Sequence, residues 1–568
     1  MKTTDGQKYR LRQGYLYTAL AKFSIVIHMV SVLTACKSGN RQDATRVFRY
    51  NEDAGLSTLD PAFARDEAIN RAVGQLYDGL VQLDTALNVV PAIAYRWEIK
   101  DSGKTYTFYL RPDVYFHSNK CFTNEKDRKI TAHDFAYSFN RIIDPKTAST
   151  GAWIFNDKVE QSYTKQQVNS SFIAENDSVF IIKLIKPFPP FLAMLAMPYC
   201  YVVPKEAIDM YGKDFRTNPV GTGPFQLRLW EEGVKLVLEK NPDYFEKDAE
   251  GRQLPYIDAV EVGFIENKQT AFMEFVQGKI DYFDGLDGSY KDELLTKDGH
   301  LKPNYADRFK LEVSPFLNTE YLAFLQDTTH RNGPETPWMK RGVRRAINYA
   351  IDKDKLVLFL RNNIGIAGNH GFVPPGLPSF SEKVEGYTYN LAKAKELLAK
   401  EGYPLGQGLP ALTLSITTTY QDMAIFVQKQ LAEIGIKVNV EVNPGPAHRT
   451  QVSKGNLAFF RGSWIADYPD AENYLSLFYS NNKAPNGPNY SRYDNKEADK
   501  LYELALNQTS DSTRYTIYQQ IDQLVMQDAA VVVLFYGESL RMVQPWVKGL
   551  KNSAMNSLVL RNISIEKK

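Results

Sequence analysis

Cysteine is scarce: three residues in 568, namely Cys36, Cys121 and Cys200. Their spacing fits neither a zinc knuckle nor a CxxC redox pair. The seven histidines are scattered and form no HExxH, so a metal hydrolase would have no ligands to work with. No GxSxG marks a serine nucleophile. No cofactor motif is present, and no cofactor is expected. Net charge is only +2, and no sustained Lys/Arg run tracks a phosphate backbone, which argues against nucleic acid as a partner. Beyond the N-terminal region no stretch holds 18 uncharged apolar residues, so the chain is not itself a channel. There is no internal repeat, no low-complexity tract and no Pro/Ser-rich linker. Domains without linkers imply a chain that crosses between lobes several times.

What is present is ordinary globular composition: 43% hydrophobic and 24% charged residues, enough for a large core over two to four domains. The 34 Tyr and 31 Phe residues allow ring-lined pockets, although most should be core. At the N-terminus, Lys8, Arg10, Arg12 and Lys22 precede the apolar run Phe23–Thr34. That run has signal-peptide length and is too short to span a bilayer. It ends in Leu33-Thr34-Ala35-Cys36, which resembles a bacterial lipobox. Residues 1–35 are read as a lipoprotein signal peptide, Cys36 as the lipidated residue and 36–45 as a polar tether. The mature protein is expected in the bacterial cell envelope, as a periplasmic or outer-face lipoprotein. Cys121 and Cys200 are read as two separate buried thiols, with a disulfide as the alternative.

Hydrophobic periodicity outlines the elements. A helix is expected over 69–80. A hairpin turns at Asp101-Ser102-Gly103 between alternating strands. Thr131 and Asp134 open a helix that stops at Pro145. Asn218–Phe225, NPVGTGPF, lacks the Lys and Ser/Thr of a phosphate loop and reads as a structural turn. Beyond Asn267 helices and strands alternate, as in α/β domains. Val343–Leu360 presents one helical face, a strand spans Leu412–Thr417, a long helix covers 512–527, and Ala530–Phe535 is an apolar strand.

The most informative stretch is Leu457–Tyr474, LAFFRGSWIADYPDAENY. It opens as a strand with Leu457, Phe459, Arg461 and Ser463 on one face and Ala458, Phe460, Gly462 and Trp464 on the other. Such a strand starts in a core and ends at an approachable surface. Gly462 permits close backbone approach, and Asp467 sits in a turn closed by Pro469 and Asp470. A ring, an open backbone and an anion together suit a ligand carrying positive charge. The competing reading is a strand end with a turn-capping Asp467 and a core Trp464. The acidic trio Asp467, Asp470 and Glu472 also leaves an exported two-carboxylate glycosidase as an alternative, although such a cluster in a turn is usually solvated.

Six patches in order resemble the large extracellular solute-binding proteins of ABC transporters, peptide/nickel class. They are Gly55–Ala62, Ile130–Pro145, Asn218–Phe225, Val343–Leu356, Asn390–Tyr403 and Gly462–Tyr474. The resemblance covers nearly everything after Cys36. It implies an α/β periplasmic-binding-protein-like two-lobe clamp with an extra third domain and mixed sheets flanked by helices. Lobe I would comprise 46–66, 183–266 and 536–568, the extra domain 67–182, and lobe II 267–535, with closure at the crossings near 266 and 536. It implies a monomeric, non-enzymatic importer component that captures oligopeptides and delivers them to an ABC permease. By this resemblance Asp467 takes the ligand's α-ammonium, Trp464 walls the pocket, and Arg461 reaches the ligand carboxylate. Gly55 and Leu56 pair with the ligand backbone. Ser463 and Ile465 flank Trp464 as departures from the family pattern, and Val452 stands where some members carry a second Arg. A nickel chelate, haem or an oligosaccharide remain alternatives as ligand.

Overall fold

The computed structural model describes residues 46–124, 128–160, 171–285, 287, 290–327 and 336–566. The signal segment, Cys36 and the tether lie outside these residues. Among the described residues no helix is long and apolar enough to cross a membrane.

The organising element is a mixed sheet. Its strands are β1 (Val47–Asn51), β2 (Phe225–Glu231), β3 (Lys235–Lys240), β4 (Ala259–Gly263), β5 (Tyr282–Asp284), β6 (Lys310–Phe324), β7 (Leu412–Thr417), β8 (Val438–Asn443), β9 (Phe459–Ile465) and β10 (Val531–Val543). Their spatial order is β8-β7-β9-β6-β10-β5-β1-β4-β3-β2, with Ile366–Ala367 added beside β10. A separate four-stranded sheet holds the expected hairpin, Ala94–Lys100 and Thr105–Leu110, together with Val179–Lys183 and Phe172–Asn176.

The helices that matter for the site are α1 (Glu67–Leu76), α2 (Ala132–Ile143), α3 (Lys268–Val276), α4 (Arg341–Ala350), α5 (Lys353–Arg361) and α6 (Asp511–Gln527). In α1, Ile69, Ala72, Val73 and Leu76 recur at helical spacing and are all buried. It ends before the expected residue 80, because Tyr77 turns extended and the Leu76 carbonyl accepts the Gly223 N–H. The structural turn Asn218–Phe225 therefore clamps the end of α1. At the start of α2 the Asp134 carboxylate accepts the Thr131 N–H at 2.7 Å, as the sequence implies. Val343–Leu360 is two helices rather than one. Ile351 is extended, and the Asp352 side chain caps α5 by accepting the Lys355 N–H.

The chain builds three apolar cores. The first gathers β1–β5, α1, α2, α3 and the four-stranded sheet. The other two lie on opposite faces of the β6–β10 region. Tyr321, Ala323, Val531 and Val533 face the second core with α6, while Leu322, Phe324, Val532 and Leu534 face the third with α4. A strand covered on both faces reads as a continuous apolar run, which is why Ala530–Phe535 shows no alternation.

Strand β10 continues beyond Phe535 to Val543, where Leu540 and Met542 enter the first core. Strand β6 makes the reverse crossing, and the β6–β10 register shifts between Pro315 and Thr319. The described residues of 267–309, read from sequence as the start of lobe II, pack in the first core through Phe272, Phe275, Tyr290 and Phe309. Stacking of Phe272 on Tyr290 at 4.8 Å helps hold them there. The connection at 266 is therefore internal to the first core, and β6 and β10 carry the chain between the cores.

Candidate functional site

A cavity of about 520 Å³ opens beside these two crossing strands. One wall comes from the first core: Glu52 to Gly55, the first turns of α1, Lys268 and Asp284. The other comes from Phe316, Asn318 and Glu320 of β6, Arg361 of α5, and Tyr420. Phe535 and Gly537 to Leu540 of β10 form its floor.

Gly55 lines this cavity, and nothing lies within 4 Å of where its Cβ would be. Leu56 beside it is buried. Arg461 and Ser463 reach the cavity wall through their partners. Arg461 donates to Glu320 Oε2 from both Nε (3.0 Å) and Nη2 (2.5 Å), and its guanidinium lies 3.5 Å from the Tyr420 ring centre. Ser463 donates to Asn318 Oδ1 at 2.9 Å. The space a side chain on Gly462 would need is filled by the Tyr321 ring, 2.4 Å from an ideal Cβ. Ile465 is exposed.

Asp467 follows the end of β9 in its own setting. Its backbone N–H and the Trp464 indole N–H both donate to Asn473 Oδ1, at 3.1 and 2.9 Å, and Asn473 Nδ2 donates back to the carboxylate at 3.2 Å. Asn473 thus fixes ring and anion as one unit. Asp467 is reachable by solvent yet enclosed by protein mass. Burial pushes its carboxyl above the usual range, with only the Asn473 bond opposing it. Its charge, after burial, also raises the phenols of Tyr474, Tyr490 and, from the first core, Tyr199. Neither Asp467 nor Trp464 lines the cavity beside β6 and β10, so the structure brings Gly55 together with the partners of Arg461 and Ser463 there and sets the Trp464–Asp467 unit apart.

The neighbouring acids point inward, contrary to the expectation of a solvated cluster. Asp470 is buried against Arg514 at 3.2 Å, and Glu472 accepts from the phenols of Tyr468 and Tyr502. Tyr468 stacks on Trp153 of the first core. The turn is therefore packed on one side, with Asp467 on its exposed side. Cys121 and Cys200 are both free thiols.

Sequence reasoning missed Arg361. Its Nε donates to Ile364 O at 2.7 Å and its guanidinium lies 4.6 Å from the Phe535 ring centre. Among the described residues its terminal nitrogens have no hydrogen-bond or ion-pair partner, and the side chain lines the cavity. Burial lowers its pKa against the pull of Glu320, Tyr420 and Glu538. The available signal was a lone cation at the C-terminal end of an amphipathic helix, which is also where a surface Arg would sit.

The model of the bacterial extracellular solute-binding proteins, family 5 (middle), matches residues 88–486. The chain belongs to this family. Heme-binding protein A of Haemophilus influenzae is 26% identical over 88% of this chain and 88% of its own length. The probable deoxycholate-binding periplasmic protein YgiS of Escherichia coli is 28% identical over 89% and 90%. Among solved structures, the periplasmic binding protein DppA from Helicobacter pylori in complex with peptide STSA superposes with a TM-score of 0.73 at 28% identity, covering 92% of this chain and 98% of that one. The fold is accordingly the family 5 clamp, with mixed sheets flanked by helices.

Proposed function

We propose that the protein captures short peptides between its two walls and delivers them to an ABC permease, as a monomer tethered to the membrane by lipid on Cys36. It releases its ligand unchanged. Relatives of comparable identity are named for haem and for deoxycholate, so the choice of ligand rests on the site. Two observations carry it: Arg361 lines the cavity with terminal nitrogens that have no partner among the described residues, and Asp467, beyond β9, is a carboxylate that protein mass encloses while solvent still reaches it. A zwitterion with separated ends satisfies both. Asp467 takes the α-ammonium, as the family resemblance implies, with Trp464 beside it. Arg361 takes the terminal carboxylate, a role that Arg461 leaves to it because Glu320 already occupies that guanidinium. The exposed backbone at Gly55 offers main-chain hydrogen bonds that ignore ligand side chains.

Titration calorimetry with a short peptide tests both ends. Asp467→Ala weakens binding by about 3 kcal/mol, the scale for leaving a desolvated charge without its partner. Arg361→Ala abolishes the preference for a free over an amidated C-terminus. Unchanged affinity in Asp467→Ala, with an unchanged melting temperature, would return Asp467 to a turn residue.

A further inference from the structure

Gly55 and Asp66 line the cleft cavity, and residues of the intervening segment 57–65 line a second cavity of about 500 Å³. The two cavities share no lining residue. The other walls of the second are the C-terminal end of α2 with the loop after it, and the turn Gly212–Thr217. Hydrogen bonds tie these segments into one frame. The Leu59 N–H donates to the Arg216 carbonyl at 2.8 Å, Arg141 Nη1 donates to Asp60 Oδ1 at 2.9 Å, and the Ser149 hydroxyl donates to the Ala62 carbonyl at 2.5 Å. The cavity is therefore held in shape without a ligand, and its size falls within the range of about 300–1,000 Å³ for small-molecule sites.

Its lining is basic. Five cations, Arg65, Arg141, Lys146, Lys213 and Arg216, stand against one carboxylate, Asp60. Asp60 is already occupied, because it accepts from both ends of the Arg141 guanidinium and from the Ala62 N–H. Arg65 and Arg216 meet Asp66 and Glu232 outside the lining, at 3.3 and 2.9 Å, and both pairs are exposed, where such pairs hold weakly. Lys146 and Lys213 have no carboxylate partner among the described residues. Asp144 accepts the Lys146 backbone N–H, and neither it nor Asp214 belongs to the lining. The last turn of α2 accounts for Arg141, but the two lysines lie beyond the ends of α2 and of the helix Lys205–Tyr211.

Thr58 adds a separate observation. It lines the cavity and is only 7% exposed. Its Oγ1 accepts the Asp60 N–H at 2.9 Å, and its own proton has no acceptor among the described residues. A buried donor without an acceptor carries a cost that a bound oxygen removes. The two lysines and this hydroxyl lack the same thing, an oxyanion.

We propose that this cavity is a phosphate site, separate from the peptide cleft, for a phosphoryl group carried free or on a lipid headgroup. Lys146 and Lys213 supply charge and Thr58 a hydrogen bond. Arg65 and Arg216 stand at hand to exchange their exposed carboxylates for the ligand. The site goes beyond the peptide reading and does not depend on it.

Calorimetric titration of the full chain at low ionic strength tests it, with inorganic pyrophosphate as the free anion and glycerol phosphate as the headgroup probe. Binding is expected, and it should weaken as salt is added. Lys146→Gln and Lys213→Gln should each reduce affinity about fivefold, the scale of one exposed ion pair. Both lysines are exposed, so the variants fold, which a melting curve checks, and their peptide affinity stays unchanged. Tighter binding of pyrophosphate assigns a free anion and tighter binding of glycerol phosphate a headgroup, and either result upholds the site. Binding of neither probe overturns it. So does affinity that survives both lysine substitutions, or that falls instead with Arg361→Ala, which would put the anion in the cleft. A hexaglutamate peptide that binds through the two lysines where neither phosphate does overturns the phosphate assignment in favour of an acidic protein partner.

Discussion

At the scale of single residues, the pair Arg461–Glu320 shows how a candidate ligand contact is also a structural one. The two side chains are only 13% and 5% exposed, and β9 and β6 hold them side by side. Removing one partner leaves a buried charge uncompensated, whereas replacing both by apolar groups of similar size removes the problem. Arg461→Ala is expected to destabilise the fold by about 3–5 kcal/mol in urea unfolding. The double variant Arg461→Met with Glu320→Leu should recover most of that loss. If Arg461→Ala unfolds like the wild type but loses peptide affinity, the guanidinium serves the ligand and not the sheet.

Among the elements, the junction of α1 with the turn Asn218–Phe225 depends on close backbone approach. A Cβ on Gly221 would lie 2.0 Å from the Leu76 carbonyl oxygen, and one on Gly223 2.4 Å from the Leu76 carbonyl carbon. His117 tightens the same turn, with its N–H donating to the Gly221 carbonyl at 2.7 Å. Neither the helix end nor the turn has a flexible side chain to give way. Gly221→Ala should therefore lower stability by about 3 kcal/mol, the upper part of the range for overpacking. Gly55→Ala, with open space around it, should stay within about 0.5 kcal/mol of the wild type. Thermal denaturation of the two variants side by side separates a packing glycine from a ligand-facing one.

For the molecule as a whole, several buried carboxyls tie stability to pH. Asp78, Asp522 and Glu52 are each pushed up to about 7, in every case first by burial. Such a group binds its proton more tightly folded than unfolded. Its contribution is therefore full below the unfolded value near 4 and is lost as pH rises through about 7. His117, pushed down by burial to about 4, acts in the opposite sense, adding stability as pH rises from 4 towards 6.5. Asp522 isolates one of these effects, because it accepts the Phe372 and Val373 N–H groups and touches no ligand-site residue. The melting temperature of Asp522→Asn, taken relative to wild type, is expected to rise between about pH 4 and pH 7. A difference that stays constant with pH would show that Asp522 ionises in the fold as it does in water.

Local pattern alone determined those elements whose periodicity is unbroken, such as Leu412–Thr417 and the helix ending at Gln527, and the ordered patches that resemble the solute-binding proteins pointed to the family that the chain belongs to. Local pattern failed where the tertiary structure supplies what a segment lacks. Strand β10 runs eight residues past Phe535 even though Glu538 and Arg541 interrupt the apolar run. Arg541 is fully buried there because Asn552, Asn556 and the carbonyls of Lys551 and Ser557 accept from its guanidinium. Glu320 meets Arg461 across 141 residues of sequence, and the terminal nitrogens of Arg361, without a partner among the described residues, are defined only by what the fold places around them. Periodicity records which face of an element meets apolar neighbours, and that information lies within a few residues. The matching of charges across a cleft depends on which distant segments the sheet order makes adjacent, so it was decided only when the chain folded.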